Sequence, residues 1–481
     1  MNRRNFPIHG ACWIVLPCLL LAASCVHRTP NPPLAAADLD RGYYFHTHSR
    51  PNNSADTVFI LCFSGGGTRA AALSLGVLEE LRRMPLQTHG ATNRLLDEVD
   101  AISSVSGGSV TAAAYALYGD QVFDTLDTAF LKRNVQQLLF LRVINPFRWP
   151  KLMSRTYGRS DLAADLYDEL IFHHSNFGDL ADKPGAFVAI NATDISTGAR
   201  FSFTQYQFDL LCTDMTPLRV SQAVAASSAV PGLLSPITID NHAGRCGSAL
   251  AEAVELATRP ETKSIGSRAR YHFLEMATYL DVTNHPYVHL VDGGVSDNLG
   301  IRAVLDGIYA IEANPESRPR ANLERVERVA IVVVNAYSKP DTGWAKRAEG
   351  PGSLELAIAG ATVPMDRYSY ETVELLKEQV EQWRARQREH KGKLLSNQSE
   401  IRFYPVIVSF ADLTNANERA YFLNQPTSFY LPDQAVDRLK EVGGRLLRQS
   451  ATFKDFLKDL KGEPVESAAL TRPTEAAWVG R

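Results

Sequence analysis

Apolar runs that stop at glycine and hand over to a helical period recur along the chain. Thr57 to Phe63 is one such run, which predicts a buried strand, and a helix follows from about Thr68 to Arg83. Val99 to Val105 again stops at glycine and feeds a helix of small residues reaching Tyr118. Further strands are predicted at Ala186 to Ala192, Tyr287 to Val291, Val329 to Asn335 and Arg402 to Phe410. Helical patterns lie between them, notably Ser221 to Ser228, Asn298 to Ile311 and Tyr368 to Arg388. Strands that are apolar without alternation are covered on both faces, so the expectation is an α/β fold of three layers, α/β/α, with a largely parallel central sheet. Ligands in such sheets bind beyond the carboxyl ends of the strands, where the glycine stops fall.

The two ends of the chain depart from this pattern. Arg3 and Arg4 precede an apolar stretch, Ala11 to Ala23, that is too short for a comfortable membrane span. It closes in Leu21-Ala22-Ala23-Ser24-Cys25, which resembles the lipobox of bacterial lipoproteins. That resemblance implies a signal peptide over 1–24 and lipidation of Cys25. The alternative is an ordinary signal peptide cleaved near Ser24; both export the protein. Val26 is not the aspartate that retains lipoproteins at the inner membrane, which points to an outer-membrane anchor facing the periplasm or the surface. His27 to Ala55, rich in Pro, Asn, Asp and Arg, reads as a tether within an anchor segment 25–56. A catalytic domain is expected over 57–340, and 341–481 as a C-terminal extension of the same fold.

Composition changes little. At 481 residues, 45% hydrophobic and 21% charged, the chain is an ordinary globular one, and its net charge of −3 argues against a nucleic-acid partner. Cys62 reads as a small buried hydrophobe. In an oxidising compartment Cys212 and Cys246 form either a disulfide or two buried thiols. No Cys/His spacing suggests zinc, and no cofactor is expected.

Three strand-turn-helix junctions carry candidate chemistry. The first is Ser64-Gly65-Gly66-Gly67-Thr68-Arg69, whose glycines let several N–H groups face one point beside a helix start, suiting a phosphate or an oxyanion. Gly65, Gly67 and Ala70 also fit dinucleotide spacing, but that needs an acid at the end of the next strand, and Asp97 and Asp100 sit at its beginning. The second junction, Ser104-Val105-Ser106-Gly107-Gly108, looks like a nucleophile elbow, with Gly108 small as required and Ser104 in place of the usual glycine. The third is Val291-Asp292-Gly293-Gly294-Val295-Ser296-Asp297-Asn298. Asp292 is either a turn residue or, beside an exposed serine, the acceptor of its proton.

Taken in this order the junctions resemble the patatin-like phospholipase family: a Gly-rich oxyanion loop, then G-x-S-x-G, then D-G-G/A. Ala225-Ala226-Ser227-Ser228-Ala229-Val230-Pro231-Gly232 looks like the family's ASSAxPG block, and Asn191-Ala192-Thr193-Asp194 matches its middle strand. The likeness runs from about Val58 to Asn335, with a fainter echo over Pro426 to Gln434. It implies a patatin-like fold and a serine lipid acyl hydrolase of phospholipase A, lysophospholipase or esterase type, acting on phospholipid or another acyl ester. Ser106 is then the nucleophile and Asp292 its base, partly buried and within hydrogen-bond reach, without histidine. The amides of Gly66, Gly67 and Gly107, with Gly65 beside them, form the oxyanion hole. Arg69, Gly108, Gly293 and Gly294 support it; Arg69 braces the glycine loop, meets a headgroup or is a plain surface arginine. Asp297 and Asn298 are expected to cap the next helix, and Asp194 to be structural.

Two other functions compete. An α/β-hydrolase triad needs a histidine after Asp292, and the remaining candidate, His390, sits in the charged run Arg384 to Lys391. A non-catalytic lipid-binding or assembly lipoprotein is the other, against which stand the filled catalytic positions. Phe140 to Lys151 interleaves aromatic, aliphatic and basic residues, so it is either a lip for lipid at the membrane interface or a loop packed on the core.

Overall fold

Side chains alternate along a strand, and this sorts the layers of the molecule. Strand β1 (Thr57–Phe63) sends Phe59, Leu61 and Phe63 into one core, and Val58, Ile60 and Cys62 to another. In the computed structural model, which describes residues 31–88, 91–259, 267–313, 317–339, 343–348, 350–390 and 401–462, β1 lies mid-sheet. The other strands of that sheet are β2 (Val99–Val105), β3 (Phe187–Asp194), β4 (Arg200–Phe203), β5 (Ile237–Asp240), β6 (Tyr287–Asp292), β7 (Arg328–Asn335) and β8 (Arg402–Ser409). Their order is β8-β7-β1-β2-β3-β6-β5, with β4 paired to β3. From β8 to β3 neighbours are parallel, while β4, β5 and β6 join antiparallel.

Helices cover both faces. In chain order the ones that matter are α1 (Gly67–Arg83), α2 (Gly107–Tyr118), α3 (Val135–Ile144), α4 (Val220–Ser227), α5 (Ile301–Ala313), α6 (Ser353–His390) and α7 (Asp433–Gln449). The core under Phe59 takes in α1, α2, α4 and α7; the core under Cys62 takes in Val304 and Leu305 of α5 and Leu376, Val380 and Trp383 of α6. Strands β4 and β5 and the hairpin Pro85–Thr88/Ala91–Arg94 were not predicted, each being four residues long and too short for a readable period.

The last third of the chain is built into the sheet rather than appended to it. β8 runs beside β7 along its whole length, and α7 lies on α1 at glycines. A Cβ on Gly76 would overlap the Lys440 backbone, and one on Gly443 would come within 2.7 Å of the Leu73 carbonyl. Charges fasten the same seam, with Arg448 on Glu80 and Lys440 3.5 Å from Glu79.

The expected tether is a correction. From Asn31 onward the segment is packed on the domain: the Asn31 side chain donates to Thr213 Oγ1 (2.8 Å) and to the Asp240 carbonyl (3.0 Å), and accepts from Asp240 N. Tyr43 is buried in the main core with its hydroxyl on Val188, and Tyr44 is buried with its hydroxyl on Asp209. Two adjacent aromatics anchor what its prolines and charges made look loose. Cys212 and Cys246 form a disulfide with Cα atoms 5.5 Å apart, and Cys62 is a buried free thiol. The signal peptide and Cys25 lie outside the described residues. Among the described residues no helix is long and apolar enough to cross a membrane.

Gly76→Val should lower the unfolding free energy by about 1–3 kcal/mol or more, since the added bulk meets backbone with no room to yield. Urea denaturation measures it; an unchanged midpoint would mean that α1 and α7 are not in contact there.

Candidate active site

Two strands arriving from opposite directions bring the candidate residues together. β2 ends at Val105, opposite Asn191 of β3, and β6 ends at Asp292, opposite Ala192 on the other side of the same strand. One step past Val105, Ser106 is level with Asp292 and its Oγ donates to Asp292 Oδ2 at 3.0 Å. The third motif therefore stands at the carboxyl end of an antiparallel strand, not of a parallel one as the strand-helix alternation suggested.

Ser106 adopts φ 50° and ψ −121°, a conformation rare for a residue with a side chain, and α2 starts directly after it. Such a turn stores roughly 1–3 kcal/mol and is held by its surroundings. Gly107 packs on the carbonyl of Gly67, and a Cβ on Gly108 would lie 2.7 Å from the Ser64 carbonyl. Ser104 stands where glycine is usual, and its hydroxyl is accommodated on the Ala189 carbonyl at 3.2 Å.

Asp292 is 2% exposed and Ser106 5%. Burial pushes the Asp292 carboxyl up to about 6, against the opposing pull of the hydrogen bonds from Gly294 N (2.8 Å) and Ser106. Gly293 lies against the Asn191 carbonyl, leaving no room for a side chain, and Gly294 lies against the end of the Met365 side chain of α6. Thr193 Oγ1 donates to the Asp292 carbonyl at 2.9 Å.

One short segment braces both residues. Ser106 N donates to Ser227 Oγ (2.7 Å), which donates to the Asn191 carbonyl (2.6 Å); Gly293 N donates to Ser227 O (3.1 Å) and Asp292 N to Ala229 O (3.0 Å). The ASSA stretch is visible in the sequence, but the role of Ser227 depends on a contact 121 residues away.

The glycine loop divides its amides. Gly65 N donates to the Asn298 carbonyl at 2.9 Å, which removes Gly65 from the expected oxyanion hole and makes it a strut between the first and third motifs. Gly66 (φ 137°) and Gly67 (φ 59°) take backbone angles that favour glycine. Gly67 and Gly107 are the first residues of α1 and α2, so their N–H groups have no acceptor within the helix, and both helix dipoles point their positive ends here.

Arg69 is a brace. Its guanidinium donates to Ala336 O (2.7 Å), Gln425 O (2.5 Å) and Thr427 Oγ1 (3.0 Å), while Thr68 N donates to Ser428 O (2.9 Å). These bonds engage all three of its nitrogens, a poor arrangement for receiving a headgroup. Asp297 caps α5 through Arg302 N (2.8 Å), whereas the Asn298 side chain faces Ser369 (3.3 Å) and is not a cap. Asp194 orders its own turn through Ser196 N and Thr197. The His390 side chain lies outside the described residues. A cavity of about 400 Å³ walled by Arg200, His272, Ser296, Arg302 and Asp306 adjoins the third motif, but neither Ser106 nor Asp292 faces it. Among the described residues no cluster of His, Cys, Asp or Glu is placed to hold a metal ion.

Folding raises the Asp292 carboxyl from 3.8 to about 6, so the folded state disfavours its ionised form, and this penalty grows as pH rises between those values and is complete above them. Asp292→Asn should thus leave stability near pH 3.5 little changed and raise it at pH 7, on the order of 1–3 kcal/mol. Paired urea titrations at the two pH values measure this; equal effects at both would contradict the burial argument. Ser227→Ala strands the Ser106 amide, so stability should drop by about 1–3 kcal/mol and covalent labelling of Ser106 by a fluorophosphonate should slow. Unchanged labelling and an unchanged melt would remove Ser227 from the brace.

Comparison with known proteins bears on the family of the chain. Solved structures of human GIVD cytosolic phospholipase A2 are similar, one with a TM-score of 0.43 at 15% identity over 85% of this chain and 63% of that one. Another, in complex with methyl gamma-linolenyl fluorophosphonate, has a TM-score of 0.38 at 13% identity, over 85% and 59%. The chain spans less than two thirds of those proteins' length. A search of curated proteins finds no match. The sequence profile described as Patatin-like phospholipase matches residues 61–305, taking in all three junctions, and the chain belongs to that family.

Proposed function

We propose that the chain is a serine lipid acyl hydrolase that cleaves carboxylic esters with a Ser-Asp dyad. The observation that carries this reading is the 3.0 Å hydrogen bond from Ser106 Oγ to a carboxylate that burial makes more basic. Ser106 Oγ attacks the acyl carbonyl carbon while Asp292 takes its proton. The amides of Gly66, Gly67 and Gly107 receive the negative charge that develops on the carbonyl oxygen, a contribution worth roughly a hundredfold or more in rate per donor. Collapse of the tetrahedral intermediate expels the alcohol, which leaves with the proton from Asp292. Water, deprotonated by the same aspartate, then attacks the acyl-serine, and the fatty acid is freed as Ser106 Oγ leaves with the proton from Asp292. The family supports a lipid substrate, and a phospholipid or lysophospholipid is the substrate we assign. We further read Cys25 as lipidated after removal of 1–24, which places the enzyme on a membrane outside the cytoplasm, the outer membrane where the host has one.

Wild-type protein should release fatty acid from phospholipid and react with a fluorophosphonate, and Ser106→Ala should do neither. Because Asp292 acts in its ionised form, kcat/KM should rise with pH through about 6 and level off above. Lipid product analysis across pH tests both; full turnover by Ser106→Ala would end the proposal.

A further inference from the structure

The packing of Asn31 has a geometric consequence for anchoring. Cys25 and Asn31 are six residues apart, so if Cys25 carries the lipid, as proposed above, at most about 20 Å of chain separates the acyl chains from a point fixed on the fold. That point is the Asp240 end of β5. Asp240 pairs with Tyr287, at the start of β6, and β6 runs from there down to Asp292, about 17 Å at roughly 3.4 Å per residue. Since β6 is antiparallel to β3, its start lies beyond the carboxyl ends of the parallel strands. The leash thus leaves the domain on the same end of the sheet as the catalytic serine.

That end is also the apolar one. Helix α3 begins at the loop that holds the glycines, with Ser428 Oγ donating to Gln136 Oε1 (2.8 Å) and Gln136 N to Phe429 O (3.3 Å). From this root it presents Phe140 (61% exposed), Leu141 and Ile144, followed by Phe147 at 92%. Leu233, four residues past the Ala229 carbonyl that holds Asp292 N, and Ile195, directly after β3, are exposed as well. Arg148 stands among the apolar residues of the α3 arm, as suits an anionic lipid surface, while Lys151 is paired with Asp165 at 3.2 Å. The opposite end of the sheet is ionic instead, with Arg328 on Asp56 (2.9 Å) and Arg402 on Asp459 (3.0 Å) at the strand starts.

We propose that the domain docks on the leaflet that holds its own anchor, carboxyl ends of the strands toward the bilayer, with Phe147 and the exposed face of α3 set into the headgroup layer. The leash fixes the orientation, and the apolar arm brings the glycine loop and Ser106 to lipid at the surface. The inference rests on lipidation of Cys25, and its test keeps the two apart.

Full-length protein is produced in its lipidated form and placed in phosphatidylethanolamine/phosphatidylglycerol vesicles, carrying an environment-sensitive fluorophore on Phe147→Cys or, as a control at the other end of the sheet, on Asn52→Cys. Cys62 is buried and Cys212–Cys246 is closed, so the introduced thiol is the reactive one among the described residues. Emission from position 147 should shift to the blue on vesicles and emission from position 52 should not. A water-like signal at 147, or an equal shift at 52, would overturn the orientation while leaving the anchor intact. Labelling with radioactive palmitate, expected in the wild type and lost in Cys25→Ser, tests the anchor itself; its absence in the wild type would overturn both.

Discussion

Desolvation of one carboxylate is the constraint around which this molecule is organised. An aspartate in water is too weak a base to draw a proton from serine, and Asp292 gains basicity only by giving up its solvent. Excluding water from it means that every polar group nearby must find a protein partner, since an unmet buried donor or acceptor is costly. The Ser227 hydroxyl, the Asn191 carbonyl, the Thr193 hydroxyl and the Gly294 amide meet that requirement, each already engaged with backbone or side chain. The glycines follow from the same demand. Gly107, Gly108 and Gly293 bring backbone against backbone where a side chain would hold the walls apart.

The layers and the Ser106–Asp292 pair were readable because they are written in local pattern. Unbroken apolar strands announce a doubly covered sheet, and a glycine stop announces a strand end, so Ser106 and Asp292 could be named as partners across 186 residues. Direction was harder. An antiparallel strand buried on both faces is as apolar as a parallel one, and nothing in Tyr287 to Asp292 says that it enters from the far end of the sheet. The short strands β4 and β5 carry too few residues to show a period. The packed segment after Asn31 was misread because its composition is that of a linker, while its attachment depends on single residues, Asn31, Tyr43 and Tyr44, whose partners lie far along the chain.

The amides of the glycine loop show a third limit. Sequence identifies three consecutive residues able to donate toward a common point, but not which of the donors is already occupied. The Asn298 carbonyl takes Gly65, leaving Gly66 and Gly67 as the open ones. Arg69 is similar: its charge suggests a ligand, and its three backbone and side-chain acceptors at Ala336, Gln425 and Thr427 make it structural.

Those last acceptors bear on when the candidate site becomes complete. Serine, aspartate and glycine loop have all been synthesised by residue 298, yet the strap that steadies the loop, Gln425 to Ser428, comes well over a hundred residues later. A growing chain therefore carries Ser106, Asp292 and the glycine loop before it carries the strap that steadies that loop. Vectorial synthesis, from amino to carboxyl terminus, thus makes the strap the last part of the site to be completed.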